Sequence, residues 1–504
     1  MEKVAIIDLG SNSARLVIFE ILDGGYFTVI DEIRESVRLG QDMERDGFLK
    51  RERADETIKT LKMFRKLCDA HKVDKIMAVA TAAVRRAKNQ RGFLDEVSAT
   101  CGIQLKVLSD EEESNYVYQG VINSIDYPRG IIMEIGGGST KIIHYNRRNI
   151  LNYATLPFGA VTLTDLFKDD GISSEKQTEK IEEFFTEQLK SIEWLSEVQP
   201  ETCFIGVGGS FRNLCKVSKM VKRYPLDIIH NYNVSLDEFN HIYDMIRVLD
   251  LDKKKKIKGL SSDRADILPS ALAVVKSFMG FMNFDNITIS GSGLREGMMM
   301  NYSNPQTIEK PVSDVLNYSL NTLIKMYGTD TAHVENTVNL AIQLFKQLRV
   351  LHKFPRQYAK ILKIAASLHD TGLSVKFYNS QKHSWYIILN SNIYGVSHRE
   401  IVLAAFVVAE HKKSNVCMGD WTKYKDLVTE EDLDVVKKLG VILRLAESLE
   451  RTRTGVVKSI DCDILGDSVI MKTVTEGDAT LEIKEAELSI GEFRKAFRKN
   501  LSIL

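Results

Sequence analysis

One stretch of this chain is written twice. The run Ile6-Ile7-Asp8-Leu9-Gly10-Ser11-Asn12-Ser13-Ala14-Arg15-Leu16 lies without a gap over Ile132-Met133-Glu134-Ile135-Gly136-Gly137-Gly138-Ser139-Thr140-Lys141-Ile142. Acid falls on acid, glycine on glycine, serine on serine and base on base. Each copy reads as a strand, a tight turn and a second strand, with a carboxylate near the end of the first strand. A duplication of this kind predicts two related halves, and two halves facing each other make a cleft. Turns of glycine and serine let backbone N–H groups approach phosphate oxygens closely, because no Cβ blocks the way and the dipoles converge. Two further small-residue turns, Gly206 to Ser210 and Ser290 to Gly293, follow apolar runs and precede helical patterns, whose N-termini favour anions. A single such turn more often only joins a strand to a helix. Four of them, two duplicated, favour a phosphate site.

The repeat sits in an α/β pattern. Short β-rich runs, Val4 to Ile7, Lys75 to Val79, Gly130 to Met133, Cys203 to Val207 and Ile287 to Ile289, alternate with helical patterns over roughly the first 300 residues. One helix is expected from about Arg53 to Lys72, with Ile58, Leu61, Phe64, Leu67 and Cys68 on one face. From about Pro311 to Thr452 amphipathic patterns such as Val334 to Leu348, Tyr358 to Leu368 and Leu433 to Leu449 predict an all-helical domain. Beyond it, Ser468 to Thr473 and Ala479 to Glu485 read as strands and Gly491 to Lys499 as a helix, a small α+β domain. A chain of 504 residues needs several cores. The domains are expected at 1–125, 126–303, 304–455 and 456–504.

Charge and cysteine usage narrow the setting. Lys plus Arg and Asp plus Glu both number 68, so no global field gathers a polyanion and any anion site is local. Neither nucleic acid nor membrane is an expected partner. The six cysteines, Cys68, Cys101, Cys203, Cys215, Cys417 and Cys462, form no Cys-x-x-Cys pair, which speaks against a zinc cage or a disulfide framework and for a reducing compartment. The start lacks a basic region followed by a long apolar one, and no apolar run has membrane-spanning length. A cytoplasmic, soluble protein is expected.

Separated motifs occur in one order: Asp8 to Ser13 with Arg15-Leu16, Val37 to Gly40, Val79 to Arg85, Glu112-Glu113, Gly136 to Thr140, Pro157 to Ala160, Gly208 to Ser210, Arg264 to Leu268 and Gly293 to Gly297. The paired loops resemble those of the actin, heat-shock chaperone and sugar kinase superfamily, and the detail resembles the exopolyphosphatase and guanosine pentaphosphatase (Ppx/GppA) family within it. Further on, Leu368-His369-Asp370 and Lys382 to Ile387 resemble the HD-type helical domain of its longer members, and Ala479 to Lys484 with Phe493 to Phe497 their small terminal domain. The resemblance implies an α/β chain of two actin-like (ribonuclease H-like) domains, an all-helical HD-like domain and a small α+β C-terminal domain, in a homodimer.

It also implies an activity: removal of the terminal phosphate of inorganic polyphosphate. Guanosine pentaphosphate is the alternative substrate, and a non-hydrolysing polyphosphate or alarmone sensor is the alternative of another class. A sugar kinase fits the Arg85 and Glu113 regions less well. By the resemblance Glu113 is the general base or water-positioning group; on residues alone, the acidic run Asp110 to Glu113 would read as a solvated helix start. The expected phosphate-binding set is Ser11, Asn12, Ser13 and Arg15 from the first loop, Gly136, Gly137, Gly138, Ser139, Thr140 and Lys141 from the second, Gly208, Gly209 and Ser210 from the third, and Arg38, Arg85 and Arg264, whose guanidinium groups suit phosphate. Magnesium is the implied cofactor, with Asp8 and Glu134 as ligands. The family's second loop usually opens with Asp and closes with Glu, whereas here Glu134 and Lys141 stand there, and Lys141 cannot be a ligand. In the helical region His333, His369 and Asp370 could fill three places of an HD metal site. Glu447 stands where the fourth, an Asp, belongs, so a packed, hydrogen-bonded His-Asp pair is the expectation, with His383 structural.

Overall fold

The structure is a computed structural model that describes residues 1–43, 46–169, 171–412 and 418–504, without the side chain of Met418. Cys417 lies outside the described residues; the other five cysteines are free thiols. The chain divides into two compact units, Met1–Tyr224 with Ile229–Val315, and Leu316–Leu504 with Pro225–Ile228. No helix among the described residues is long and apolar enough to cross a membrane.

The first unit holds two mixed sheets built on one plan. In the first, β1 (Lys3–Leu9), β2 (Ala14–Ile21), β3 (Phe27–Glu35), β4 (Lys75–Ala80) and β5 (Leu105–Val107) lie in the order β3-β2-β1-β4-β5. The second contains β6 (Arg129–Ile135), β7 (Thr140–Asn146), β8 (Asn149–Leu156), β9 (Cys203–Val207), β10 (Tyr232–Ser235) and β11 (Asn286–Ile289), in the order β10-β11-β9-β6-β7-β8. Read from β8, that order matches the first sheet strand for strand, with β10 added at the edge. Even the irregularities correspond. The β2–β3 ladder shifts register at Ile18/Phe19 and the β7–β8 ladder at His144/Tyr145, positions that the duplicated run, continued three residues, sets over each other. The sequence repeat is therefore a repeat of folded units.

Apolar alternation explains the layers. The helix Arg51–Ala70 buries Ile58, Leu61, Phe64 and Cys68 in the core of the first half. A separate core fills the second half around Phe185, Phe204, Phe239 and Phe278. A third is shared: Val4, Ile6, Val17 and Val79 from the first sheet meet Ile132, Ile143, Ile205 and Val207 from the second, together with Val117 and Val121 of the helix Asp110–Ile122 and Leu294 and Met298 of the helix Leu294–Ser303. These two helices touch backbone to backbone. A Cβ on Gly297 would lie 1.9 Å from the Tyr116 carbonyl oxygen, and one on Gly120 would lie 2.1 Å from that of Gly293.

In the second unit, helices including Thr331–Gln347, Tyr358–Leu368, Ser380–Asn390, His398–Glu410 and Asp432–Ser448 precede a sheet of β12 (Val457–Leu465), β13 (Ser468–Thr475) and β14 (Asn500–Ile503). The expected strand Ala479 to Glu485 is instead the helix Thr480–Glu487. Its buried face runs through Ala479, Glu482 and Ala486, while Leu481 faces solvent. A buried glutamate, whose Oε1 accepts from the Thr452 N–H at 2.9 Å, hid the helical period from an apolar pattern. The place of that strand is taken by β14, parallel to β13.

Gly297→Ala is expected to cost about 1–3 kcal/mol, the usual range for overpacking. A shift of the urea-unfolding midpoint reports it, and an unchanged midpoint would show that the two helices do not need this contact.

Candidate active site

The duplicated hairpins build the site. Strand register places Asp8 directly opposite Arg15 on β1–β2 and Glu134 directly opposite Lys141 on β6–β7. Each turn closes the same way: the Gly10 N–H donates to Ser13 O at 3.1 Å, and the Gly136 N–H donates to Ser139 O at 2.9 Å. The turns then meet. A Cβ on Gly137 would come within 2.9 Å of Ser11 Cβ, and one on Gly138 within 2.7 Å of Ser11 Oγ. The second copy thus carries glycine where the first carries Ser11 and Asn12, because only one of two facing turns can keep its side chains.

Between them lies a cavity of about 110 Å³, lined by both turns, by Gly208, Gly209 and Gly293, by Asp8, Glu113 and Glu134, and by Arg15, Arg212, Arg264 and Arg295. The arginines crowd one another. Burial, and then the Arg212 and Arg295 charges, hold the Arg15 guanidinium well below the usual arginine range. Arg264 is pushed down to about 10 by burial, with Arg34 the first of its opposing neighbours. Arg295 is paired with Glu32 at 2.8 Å, and Arg212 donates to Gly291 O at 2.6 Å. Buried guanidinium groups that lower one another's proton affinity are relieved by a multiply charged anion.

Glu113 enters from the helix Asp110–Ile122. The four acids of that helix start are sorted by geometry. Asp110 pairs with Arg85, Glu111 is exposed, and Glu112 closes a capping box in which the Ser109 N–H donates to its Oε2 at 2.9 Å. Glu113 turns inward and is 5 % exposed. Lys141 Nζ lies 2.6 Å from its Oε1, and Arg85 Nη1 donates to its Oε2 at 2.9 Å. The same ammonium lies 3.3 Å from Glu134 Oε2 and is itself 1 % exposed. Burial works against the Lys141 charge, but the Glu113 and Glu134 charges outweigh it and hold its proton more tightly than in an ordinary lysine. Burial pushes the Asp8 and Glu134 carboxyls up, partly opposed by Arg295 and Arg15 at Asp8 and by Lys141 at Glu134.

Of the residues expected from sequence, Asp8, Ser11, Asn12, Ser13, Arg15, Glu113, Glu134, Gly136, Gly137, Gly138, Ser139, Gly208, Gly209 and Arg264 line the cavity. Others are placed differently. Thr140 Oγ1 donates to Phe158 O at 2.7 Å, and Ser210 is buried in the first turn of the helix Gly209–Lys222. Arg38 is paired with Asp266 at 2.6 Å rather than turned to the cavity. Arg85 serves Glu113, Asp110 and the Leu108 carbonyl, so its donors hold the glutamate in place. Lys141 reaches the cavity through the two glutamates. Arg212 and Arg295 were not anticipated as site residues, although both follow small-residue turns that the sequence marks, Gly208-Gly209 and Gly293.

Magnesium is commonly bound through one or two carboxylates, waters and substrate phosphates. The donors here fit that mode through Asp8 and the Glu134 oxygen that Lys141 does not engage. A bridge between Glu134 and Glu113 is taken by the ammonium.

A model of the Ppx/GppA phosphatase family matches residues 17–304, and a model of domain III of the Ppx/GppA phosphatases matches residues 315–485. The chain belongs to the Ppx/GppA phosphatase family. Two relatives are named guanosine-5'-triphosphate,3'-diphosphate pyrophosphatase. That of Aeromonas salmonicida is 26% identical over 396 residues, 78% of this chain and 77% of its own length. That of Vibrio vulnificus is 26% identical over 418 residues, 81% of this chain and 80% of its own length. Among solved structures, an exopolyphosphatase from Cytophaga hutchinsonii superposes with a TM-score of 0.57 at 25% identity, covering 60% of this chain and 98% of that one. A Ppx/GppA family member from Aquifex aeolicus gives 0.51 at 28% identity, covering 62% and 99%.

In this Ppx/GppA chain Lys141→Met is expected to cost ~3–5 kcal/mol, because Glu113 and Glu134 then face each other without their cation. Magnesium should raise the melting temperature of that variant more than it raises that of the parent. Equal magnesium shifts would show that ammonium and metal do not compete for the same carboxylates.

Proposed function

We propose that this chain hydrolyses the terminal phosphoanhydride bond of inorganic polyphosphate, with Glu113 as the group that orients and deprotonates the attacking water. The observation that carries this is the cluster of buried and half-buried arginines around glycine and serine turns, facing one inward-turned glutamate. Such a cavity takes phosphate oxygens through backbone N–H groups and guanidinium forks. Among the described residues its lining includes no aromatic side chain on which a base could stack, which favours a bare phosphate chain.

The steps follow from the residues. Arg15, Arg212 and Arg264 hold the terminal phosphates against the two turns. Each carboxylate oxygen of Glu113 has a further lone pair beyond the one given to Lys141 or Arg85, so the group can still accept a proton from water. The two cations fix its rotamer, and the attack geometry with it. When bound at Asp8 and Glu134, magnesium supplies positive charge to the phosphate oxygens. Guanosine pentaphosphate is the second reading, favoured by the names of the relatives above, since the same phosphoanhydride chemistry would serve it.

Phosphate release from long-chain polyphosphate and from guanosine pentaphosphate, measured as kcat/KM for each, tests the proposal. A preference of at least ~10-fold for polyphosphate is expected, and cleavage of the nucleotide alone would replace the first reading with the second. Glu113→Gln should retain polyphosphate binding while hydrolysis falls at least ~100-fold, the scale of a lost general base. Near-normal turnover would remove Glu113 from the mechanism. Arg15→Ala and Arg264→Ala should raise KM more than they lower kcat, because contacts made equally to ground and transition state act on binding.

A further inference from the structure

The second sheet exceeds the first by one strand, β10. The chain entering that strand is laid against the turn Ser290 to Gly293, whose last residue lines the phosphate cavity. The Asn231 N–H donates to Ile289 O at 2.8 Å, one step beyond the β10–β11 ladder. Asn231 takes a φ of 60°, a left-handed value that asparagine tolerates better than most residues. His230 is thereby set against Gly291, where an added Cβ would come within 3.1 Å of His230 Cβ. The histidine is buried.

The two ring nitrogens have fixed roles. His230 Nε2 is 3.0 Å from Ser124 O, and since a carbonyl only accepts, Nε2 carries the proton. Nδ1 then presents a lone pair, which accepts from the Gly291 N–H at 3.2 Å. Gly291 is held on its other side as well, where its carbonyl accepts from Arg212 Nη2 at 2.6 Å. Arg212 lines the cavity and needs that partner, because burial and then the Arg295 charge work against its guanidinium. A glycine turns about its backbone more freely than any other residue, so without the histidine the Gly291 carbonyl would not keep one direction. Ser124 follows the helix Asp110–Ile122, which carries Glu113, and its Oγ donates to Gly120 O at 2.7 Å. One neutral imidazole therefore ties the far end of the helix bearing Glu113 to the turn that aims Arg212.

We propose that His230 is a positioning residue of the phosphate cleft: with its proton on Nε2 it fixes Gly291, and through the Gly291 carbonyl it holds Arg212 toward a phosphate oxygen of the substrate. This role presupposes that the cleft binds phosphate chains. A guanidinium held in place beforehand loses less freedom on meeting the anion. His230 is turned to backbone groups on both sides, so it acts on binding and on the placing of Arg212 rather than on proton transfer.

The test uses the full-length chain and methylenediphosphonate, a phosphoanhydride mimic whose P–C–P link water does not cleave. Binding is titrated calorimetrically, and hydrogen exchange of the Gly291 amide is followed without the probe. His230→Gln keeps a donor within reach of Ser124 O and loses the acceptor. It is expected to speed Gly291 exchange and to weaken probe binding about 3- to 10-fold, what one aligned hydrogen bond is worth. His230→Asn, whose Oδ1 stands near the place of Nδ1, should restore slow exchange and most of the affinity. In an Arg212→Met background His230→Gln should cost no further affinity, because its effect passes through that guanidinium. If His230→Gln fails the circular dichroism check for folding, His230→Asn decides, and fast Gly291 exchange there would overturn the role. Unchanged exchange in folded His230→Gln, or the same loss of affinity with and without Arg212, would also overturn it. Fast exchange in His230→Gln with no probe bound by the parent would uphold the hold on Gly291 and overturn the phosphate reading of the cleft instead.

Discussion

An ammonium group with almost no solvent access lies between two carboxylates that line the cavity. Moving such ions out of water costs several kcal/mol each, and only close, well-directed partners offset it. The Lys141 charge is therefore tolerable only where β6 and β7 pair in the register that sets it across from Glu134, and where the helix Asp110–Ile122 brings Glu113 within 2.6 Å from the other side. Arg85 completes the arrangement by taking the second oxygen of Glu113. A slip of one residue in β7 would send Lys141 to the opposite face, leaving Glu134 without its cation and Glu113 with Arg85 alone.

The repeat shows how one loop design was put to two uses. Both turns keep the same backbone hydrogen bond and the same acid-opposite-base register. The first base, Arg15, faces the cavity among other arginines and is available to an anion. The second, Lys141, is consumed internally. One half thus turns its base to the cavity, and the other turns its base to the carboxylates beside it.

Local features were legible in the sequence; partnerships were not. The duplicated hairpins, the four glycine turns and the helix Tyr358–Leu368 could be read directly, because strand alternation, turn composition and helical period are properties of adjacent residues. Arg38 and Arg85 were recognisable as arginines beside motifs, but the carboxylates they pair with come from elsewhere, Asp266 standing 228 positions from Arg38. The same limit applied to Lys141. Aligning the copies set it over Arg15, while the structure gives it Glu113, from a helix outside the repeat. Glu482 failed for a different reason, since a buried acid breaks the apolar pattern from which a helix is recognised.

The close crossing of the helices Asp110–Ile122 and Leu294–Ser303 has a mechanical meaning. The first helix leads the chain from the first sheet toward the second. The other follows β11 of the second sheet and packs with Val4 and Ile6 of the first. Both covalent passages between the halves run through this one pair, where glycine on each side lets the backbones touch. Glu113 rides on one member of the pair and Arg295 on the other. Rotation of one half against the other about this axis would leave Glu113 near the fulcrum, where displacement is least, while the mouth of the cleft would travel farthest. Such a rotation would widen the mouth of the cleft more than it displaced Glu113.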